Sequence, residues 1–155
     1  MTDTQPIPTD PQALAEAVAA AMWSRDRTAQ ALGMRIECVG PGRATIRMTV
    51  RDDMVNSHHI CHGGLIFTLA DTAFAYACNA YNRNTVASGC NIDFVAVGRE
   101  GDTLQAEAVE RTLAGRTGVY DVTVRDSAGN TIALFRGKSY RISGEVIAGL
   151  AAEKA

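Results

Sequence analysis

From Leu65 to Tyr81 the chain carries no glycine and no proline, and Leu, Ala and Phe dominate it. Such a run is helical and apolar on nearly every side, so it has to be buried. It is too short, and too interrupted by Asp71, to span a membrane. The rest of the chain must therefore wrap it, which restricts the folds open to the sequence. On the helical period of about 3.6 residues, Asp71 shares a face with Gly64, Phe67, Thr68, Phe74, Ala75 and Cys78. A carboxylate there is hydrogen-bonded, paired, or turned into a pocket.

The preceding segment, Asn56-Ser57-His58-His59-Ile60-Cys61-His62-Gly63-Gly64, is polar and ends in two glycines. Glycines at a helix N-terminus let a ligand approach unpaired N–H groups and the positive end of the helix dipole. That arrangement suits the oxyanion of acyl transfer; equally, it makes a sharp turn into the helix. Asp71 is either the carboxylate of such chemistry, as general base or nucleophile, or a structural Asp satisfied by backbone. Gly64 and Asp71 lie about two turns apart, about 10 Å along the axis, too far to serve one carbon within one helix. A site using both draws them from two copies with neighbouring helices. His58, His59, Cys61 and His62 cluster too tightly for one tetrahedral zinc ion, and no distant ligands join them. A Cys61–His62 nucleophile pair fails because adjacent side chains of an extended segment point oppositely. No metal or redox cofactor is implied.

His62-Gly63-Gly64, followed by Leu69-Ala70-Asp71-Thr72-Ala73-Phe74-Ala75, resembles the hotdog-fold acyl-CoA thioesterases, and within them the phenylacetic-acid-degradation (PaaI-type) branch. The similarity continues through Val86-Ala87-Ser88, Ile92-Asp93-Phe94, Gly118-Val119-Tyr120-Asp121 and Ala133-Leu134-Phe135-Arg136-Gly137-Lys138-Ser139, over roughly residues 30 to 142. The resemblance implies that Asp71 is the catalytic carboxylate and that Gly63 donates to the thioester carbonyl, with Gly64 beside it. It implies that Asn56 positions water or substrate, and that active sites form at a dimer interface. A hydroxyl found after the helix in some relatives falls near Ala87 and Ser88. His62 assists the carbonyl or braces the loop. Phe67 and Phe74 line an aryl or medium acyl pocket or belong to the core. Arg136, Lys138 and Arg141 meet CoA phosphates or form a solvated strand end.

The 155 residues suit one domain, and a net charge of −2 gives no field that would draw it to nucleic acid or an anionic membrane. The start shows no secretory leader, and Cys38, Cys61, Cys78 and Cys90 form no Cys-x-x-Cys pair, which reads as free thiols of a cytoplasmic protein. Residues 1–10 read as a disordered tail. Asp10-Pro11 starts a helix over Gln12–Met22, and a second helical segment runs from Ser24 to Leu32. The pair packs across a sheet edge or covers a pocket mouth. Met34–Val39 and Arg43–Val50 form a hairpin, with Ala44, Ile46, Met48 and Val50 on the buried face. After the central helix come strands over Thr85–Val97, expected mid-sheet, Thr103–Leu113, Thr117–Arg125 and Thr131–Ile142. Residues 143–155 read as a tail with a short fraying helix.

About six antiparallel strands and one apolar helix leave an α+β solution, a curved sheet wrapped around the helix over residues 11–142. The expected function is hydrolysis of phenylacetyl-CoA, a ring-hydroxylated relative or a similar small acyl-CoA by a homo-oligomer, a dimer or a dimer of dimers (homotetramer). The alternatives are a hotdog hydratase or dehydratase, and a non-catalytic acyl-CoA-binding module. Asp71 has no His on its own helix, which disfavours the first.

Overall fold

The structure, a computed structural model, describes residues 7–148. Most of the expected N-terminal tail (residues 1–6) and residues 149–155 of the C-terminal tail lie outside the described residues. Helix α1 (Pro11–Trp23) begins where the sequence signals it: the Asp10 carboxylate accepts from the Ala13 N–H at 2.8 Å. Helix α2 (Arg27–Ala31) is shorter than expected, because Asp26 caps it afresh by accepting from Ala29 N–H at 3.0 Å. Gly33, at φ 67°, then turns the chain into the first strand. Six strands follow: β1 (Arg35–Gly40), β2 (Arg43–Thr49), β3 (Thr85–Phe94), β4 (Thr103–Ala114), β5 (Thr117–Arg125) and β6 (Thr131–Arg141). Helix α3 (Gly63–Asn79) sits between β2 and β3 in the chain.

The strands form one antiparallel sheet in the order β1-β2-β4-β5-β6-β3. The sheet curls so that all six strands reach α3. The alternation along β2 is as expected: Ala44, Ile46, Met48 and Val50 are buried under the helix. Helix α1 covers edge strand β1, with Gln12 Nε2 donating to the Val39 carbonyl at 2.7 Å.

Strand β3 departs from expectation. Its apolar run suggested a mid-sheet position, but it pairs only with β6 and forms the far edge. Val86, Phe94 and Val95 are 47%, 51% and 56% exposed. An apolar strand with one side of its ladder open is an edge prepared for pairing. The short helix expected in the C-terminal tail is also not formed over residues 143–148. Asn82 captures that segment instead, accepting from Ile147 N–H at 2.8 Å and donating to its carbonyl at 3.3 Å.

Aromatic rings lock α3 to β5 and β6. Phe74 packs edge-on against Tyr120 with centroids 5.4 Å apart and lies 5.9 Å from Phe135. Phe67 meets Phe135 edge-on at 5.4 Å. Gly137 makes room for this stack: a Cβ there would lie 2.9 Å from the Phe74 ring. Gly137→Ala is expected to lower unfolding stability by about 1–3 kcal/mol through overpacking. Urea denaturation measures this, and the loss should shrink in a Phe74→Leu background, where the ring is gone.

Candidate active site

The N-terminus of α3 leaves several backbone donors to be satisfied. His62 N–H donates to the Met54 carbonyl at 2.8 Å, and Leu65 and Ile66 N–H both donate to the His62 carbonyl. Gly64 N–H donates to His62 Nδ1 at 3.1 Å. His62 is thus the helix cap, bracing the loop through Nδ1. Gly63 N–H is left without a partner among the described residues. It stands at the positive end of the helix dipole, where a free donor can receive an oxyanion. Phe94 lies over Gly63, with ring atoms 3.2–3.6 Å from where a Cβ would stand. Sequence reasoning missed Phe94, because only the folded edge strand brings it there.

Asn56 holds the loop that leads into the cap. Its Oδ1 accepts from His58 N–H at 2.9 Å and Ile60 N–H at 3.4 Å, leaving Nδ2 available to a ligand. His58 and His59 are exposed while Cys61 is buried, so these side chains do not converge. Burial pushes the Cys61 thiol up, away from a reactive thiolate.

Along α3, Leu69, Ala70, Ala73, Phe74 and Ala77 are buried, while Gly64, Phe67, Thr68, Asp71 and Ala75 are not fully covered. These five make one stripe, spaced at helical intervals. Asp71 is half-buried in it, and no described group hydrogen-bonds its carboxylate. Desolvation pushes its pKa above the ordinary aspartate value. Phe67 shares the stripe, whereas Phe74, 1% exposed, belongs to the core.

The other expected residues lie elsewhere. Phe135 and Gly137 face the helix, so Arg136 and Lys138 project from the opposite face of the sheet. There the Asp121 carboxylate accepts from Arg136 at 2.7 and 2.9 Å and from Arg111 at 2.8 Å. Those guanidinium contacts hold Asp121 below the usual carboxylate range. Lys138 has no carboxylate partner among the described residues. Arg111, Arg136 and Lys138 line a cleft of about 850 Å³, which opens on this outer face and not on the Asp71 stripe. Ser88 sits on the β-bulge of β3, its hydroxyl donating to the Lys138 carbonyl at 3.2 Å. Among the described residues no hydrogen bond joins it to Asp71.

The chain therefore combines one apolar helix inside a six-stranded curved sheet, an unpaired N–H at the helix start and an unbonded carboxylate at its middle. Residues 58–133 match the thioesterase superfamily. Over 126 residues the chain is 50% identical to the acyl-coenzyme A thioesterase PaaI of Escherichia coli, an alignment covering 81% of this chain and 90% of that protein. The chain belongs to the thioesterase superfamily. It is a thioesterase with the hotdog fold. The structure of the E. coli PaaI protein from the phenylacetic acid degradation operon superposes with a TM-score of 0.85 at 48% identity, covering 86% of this chain and 97% of that one. A mutant of the phenylacetic acid degradation protein PaaI from Thermus thermophilus superposes with a TM-score of 0.73 at 37% identity, covering 76% and 100%. Among the described residues no helix of this thioesterase is long and apolar enough to cross a membrane.

The raised pKa of Asp71 has a consequence for stability. The folded chain keeps this proton to higher pH than the unfolded chain, so stability falls as pH rises from the ordinary aspartate value through the raised one. Asp71→Asn is therefore expected to melt at a higher temperature than the wild type at neutral pH. The advantage should vanish below about pH 4, where aspartate is protonated in both states. Thermal melts of the two proteins from about pH 3 to about pH 8 check this; equal Tm values at neutral pH would mean that the carboxylate is satisfied.

Proposed function

We propose that this thioesterase hydrolyses phenylacetyl-CoA, a ring-hydroxylated phenylacetyl-CoA or a similar small acyl-CoA to the free acid and CoA. The observation that carries the reading is the unbonded, half-buried Asp71 carboxylate on the one uncovered stripe of α3. A desolvated carboxylate is more basic than an exposed one, which suits a general base working near neutral pH. The acyl group follows from the likeness to the E. coli PaaI protein, whose operon is that of phenylacetic acid degradation. Phe67, half-buried beside Asp71, offers an aromatic surface for the ring.

In this reading the thioester oxygen accepts from Gly63 N–H, whose position at the helix N-terminus stabilises the oxyanion as it forms. Asp71 takes a proton from water as the water oxygen bonds to the carbonyl carbon. The tetrahedral intermediate collapses, the C–S bond breaks, and the departing CoA thiolate takes up the proton. Direct attack by Asp71 is the other route. It breaks the C–S bond, expels the CoA thiolate and forms an acyl–Asp71 anhydride, which water then opens to the free acid and the Asp71 carboxylate, the released proton going to the thiolate. Asn56 Nδ2 positions water or the thioester. Of the two basic residues on β6 that line the outer cleft, Lys138 is the one free to meet a CoA phosphate, since Arg136 is engaged by Asp121.

Each site in this proposal is shared by two chains. Gly64 and Asp71 are separated by about 10 Å on one helix, while a reacting thioester needs both its oxygen and its carbon served within about 3 Å. The bare edge of β3 and the uncovered stripe of α3 mark where a second copy would bring its own helix N-terminus to Asp71. Leu134 and Tyr140, exposed on the outer face, offer a second apolar surface on which two such dimers would pair.

Two outcomes follow. Asp71→Asn should retain fold and ligand binding while kcat for phenylacetyl-CoA falls by about two to four orders of magnitude, the range of a positioned base. Release of free thiol measures this, and near-normal turnover in the folded variant would remove Asp71 from the mechanism. The same assay should give phenylacetyl-CoA a higher kcat/KM than acetyl-CoA or palmitoyl-CoA.

The shared site is tested by mixing. Asn56→Asp keeps the acceptor oxygen that closes the loop and removes the Nδ2 donor. Refolded together, the Asp71→Asn and Asn56→Asp proteins should form heterodimers with one intact site and regain about half the wild-type activity per heterodimer. Verified heterodimers as inactive as their parents would show that Asp71 serves its own chain.

A further inference from the structure

At the C-terminal end of α3, away from the Gly63 end, three arginines from three separate segments line a small hollow. Arg83 comes from the turn after α3, Arg116 from the β4–β5 hairpin and Arg141 from the end of β6. The hollow is about 40 Å³, with Cys78 and Tyr120 among its walls and Ser139 among its lining. We infer that this hollow is a binding site for one oxyanion of phosphate or carboxylate type, held between Arg116, Arg141 and the Ser139 hydroxyl.

Two independent observations carry this. The first is charge. Lining one hollow with three arginines is unfavourable unless a negative group joins them. Among the described residues only Glu145 does so, reaching Arg83 at 3.4 Å. Arg116 and Arg141 have no carboxylate partner there, and the Arg141 N–H donates to the Arg116 carbonyl at 2.7 Å, which fixes their backbones side by side. The second is the orphaned hydroxyl. Ser139 is 0% exposed, and its Oγ is buried without a hydrogen-bond partner among the described residues. A buried polar atom left unpaired costs free energy, and its persistence calls for a partner.

The other groups nearby do not compete. The Glu110 carboxylate accepts from Tyr120 Oη at 2.6 Å and lies near the Tyr81 hydroxyl, whose pKa is raised by burial and then by this carboxylate. Burial pushes the Cys78 thiol up to about 12, so that wall is neutral. The C-terminal dipole of α3 opposes an anion, but with about half a charge against full guanidinium charges. A water-sized atom needs about 10–15 Å³ of such space. The hollow therefore takes roughly three, enough for both oxygens of a carboxylate or for three of the four oxygens of a phosphate, the fourth facing solvent.

The site is tested by binding, without turnover, so its failure and a failure of the thioesterase mechanism are distinguishable. The full-length protein is melted in inorganic phosphate and in chloride of equal ionic strength. Phosphate at about ten times its Kd should raise Tm by about 3–5 °C. The rise should disappear in Arg116→Gln/Arg141→Gln, whose side chains are exposed and whose Tm in chloride reports its fold. Ser139→Ala should melt higher than wild type in chloride, because the orphaned hydroxyl is gone, yet respond less to phosphate. No rise in the wild type, or an equal rise in the double-arginine variant, overturns the site. Competition of phosphate with CoA and with 3′-dephospho-CoA then names the source. Displacement by CoA alone assigns the oxyanion to the substrate's 3′-phosphate; displacement by neither assigns it to a free anion.

Discussion

Helix α3 carries apolar side chains around almost its whole circumference, so its burial needs a surface that curves. Six antiparallel strands supply it, contributing inward-facing residues from alternate positions. Removing a core side chain such as Leu69 would forfeit about 2–5 kcal/mol, a large fraction of the stability of a domain this size. The fit is specific as well as apolar. Phe74 lies against Tyr120 and Phe135 because β6 carries glycine at position 137, and a larger residue there would strike the ring. The strand pairing that brings Gly137 under Phe74 also sets Arg136 and Lys138 on the outer face. Core packing and the location of the outer basic cleft are thus one decision about register.

The sheet of one chain does not close around the helix. It stops at β3, and the stripe from Gly64 to Ala75 stays partly open. Asp71 lies in this stripe, where the chain pays in desolvation for keeping a carboxylate out of bulk water with no described donor beside it. A structural carboxylate would have found a backbone N–H or a cation, as Asp10, Asp26 and Asp121 have done. The contrast among acids of one chain supports the chemical reading of Asp71 better than its burial alone.

Much of this was legible in the sequence, and the failures share a cause. Local chemistry read well: Asp10-Pro11 did start a helix, and the alternation from Ala44 to Val50 did mark the buried face. Features that depend on which strand lies beside which did not. An apolar run such as Val86 to Val97 means burial, but sequence does not say whether a strand of the same chain or another copy provides it, so β3 was expected mid-sheet and stands at the edge. Phe67 and Phe74 occupy similar positions on a helical wheel, and only the place of β5 and β6 sends Phe74 to the core. The loop-closing role of Asn56 and the ion pair of Arg136 with Asp121 are hydrogen-bond geometry, which residue spacing does not encode.

Gly63 joins the two halves of the site's logic. A helix start offers several N–H groups, and an anion placed there would ordinarily be shared among them. Here His62 accepts from Gly64, and the His62 carbonyl accepts from Leu65 and Ile66, so one donor remains. A single fixed donor defines one oxygen position, and a fixed dipole does not have to reorient as charge develops. Glycine at residue 63 also suits its surroundings, because the Phe94 ring stands 3.2–3.6 Å from where a Cβ would lie and would have to shift to admit one. Phe94 belongs to β3, the strand with the free edge and exposed apolar residues, which the proposed dimer would cover. The donor is therefore walled by the same strand on which pairing would occur. In the proposed dimer, association and the shape of the oxyanion site would be set together, and a chain on its own would carry a donor and a carboxylate with no carbon that both could serve.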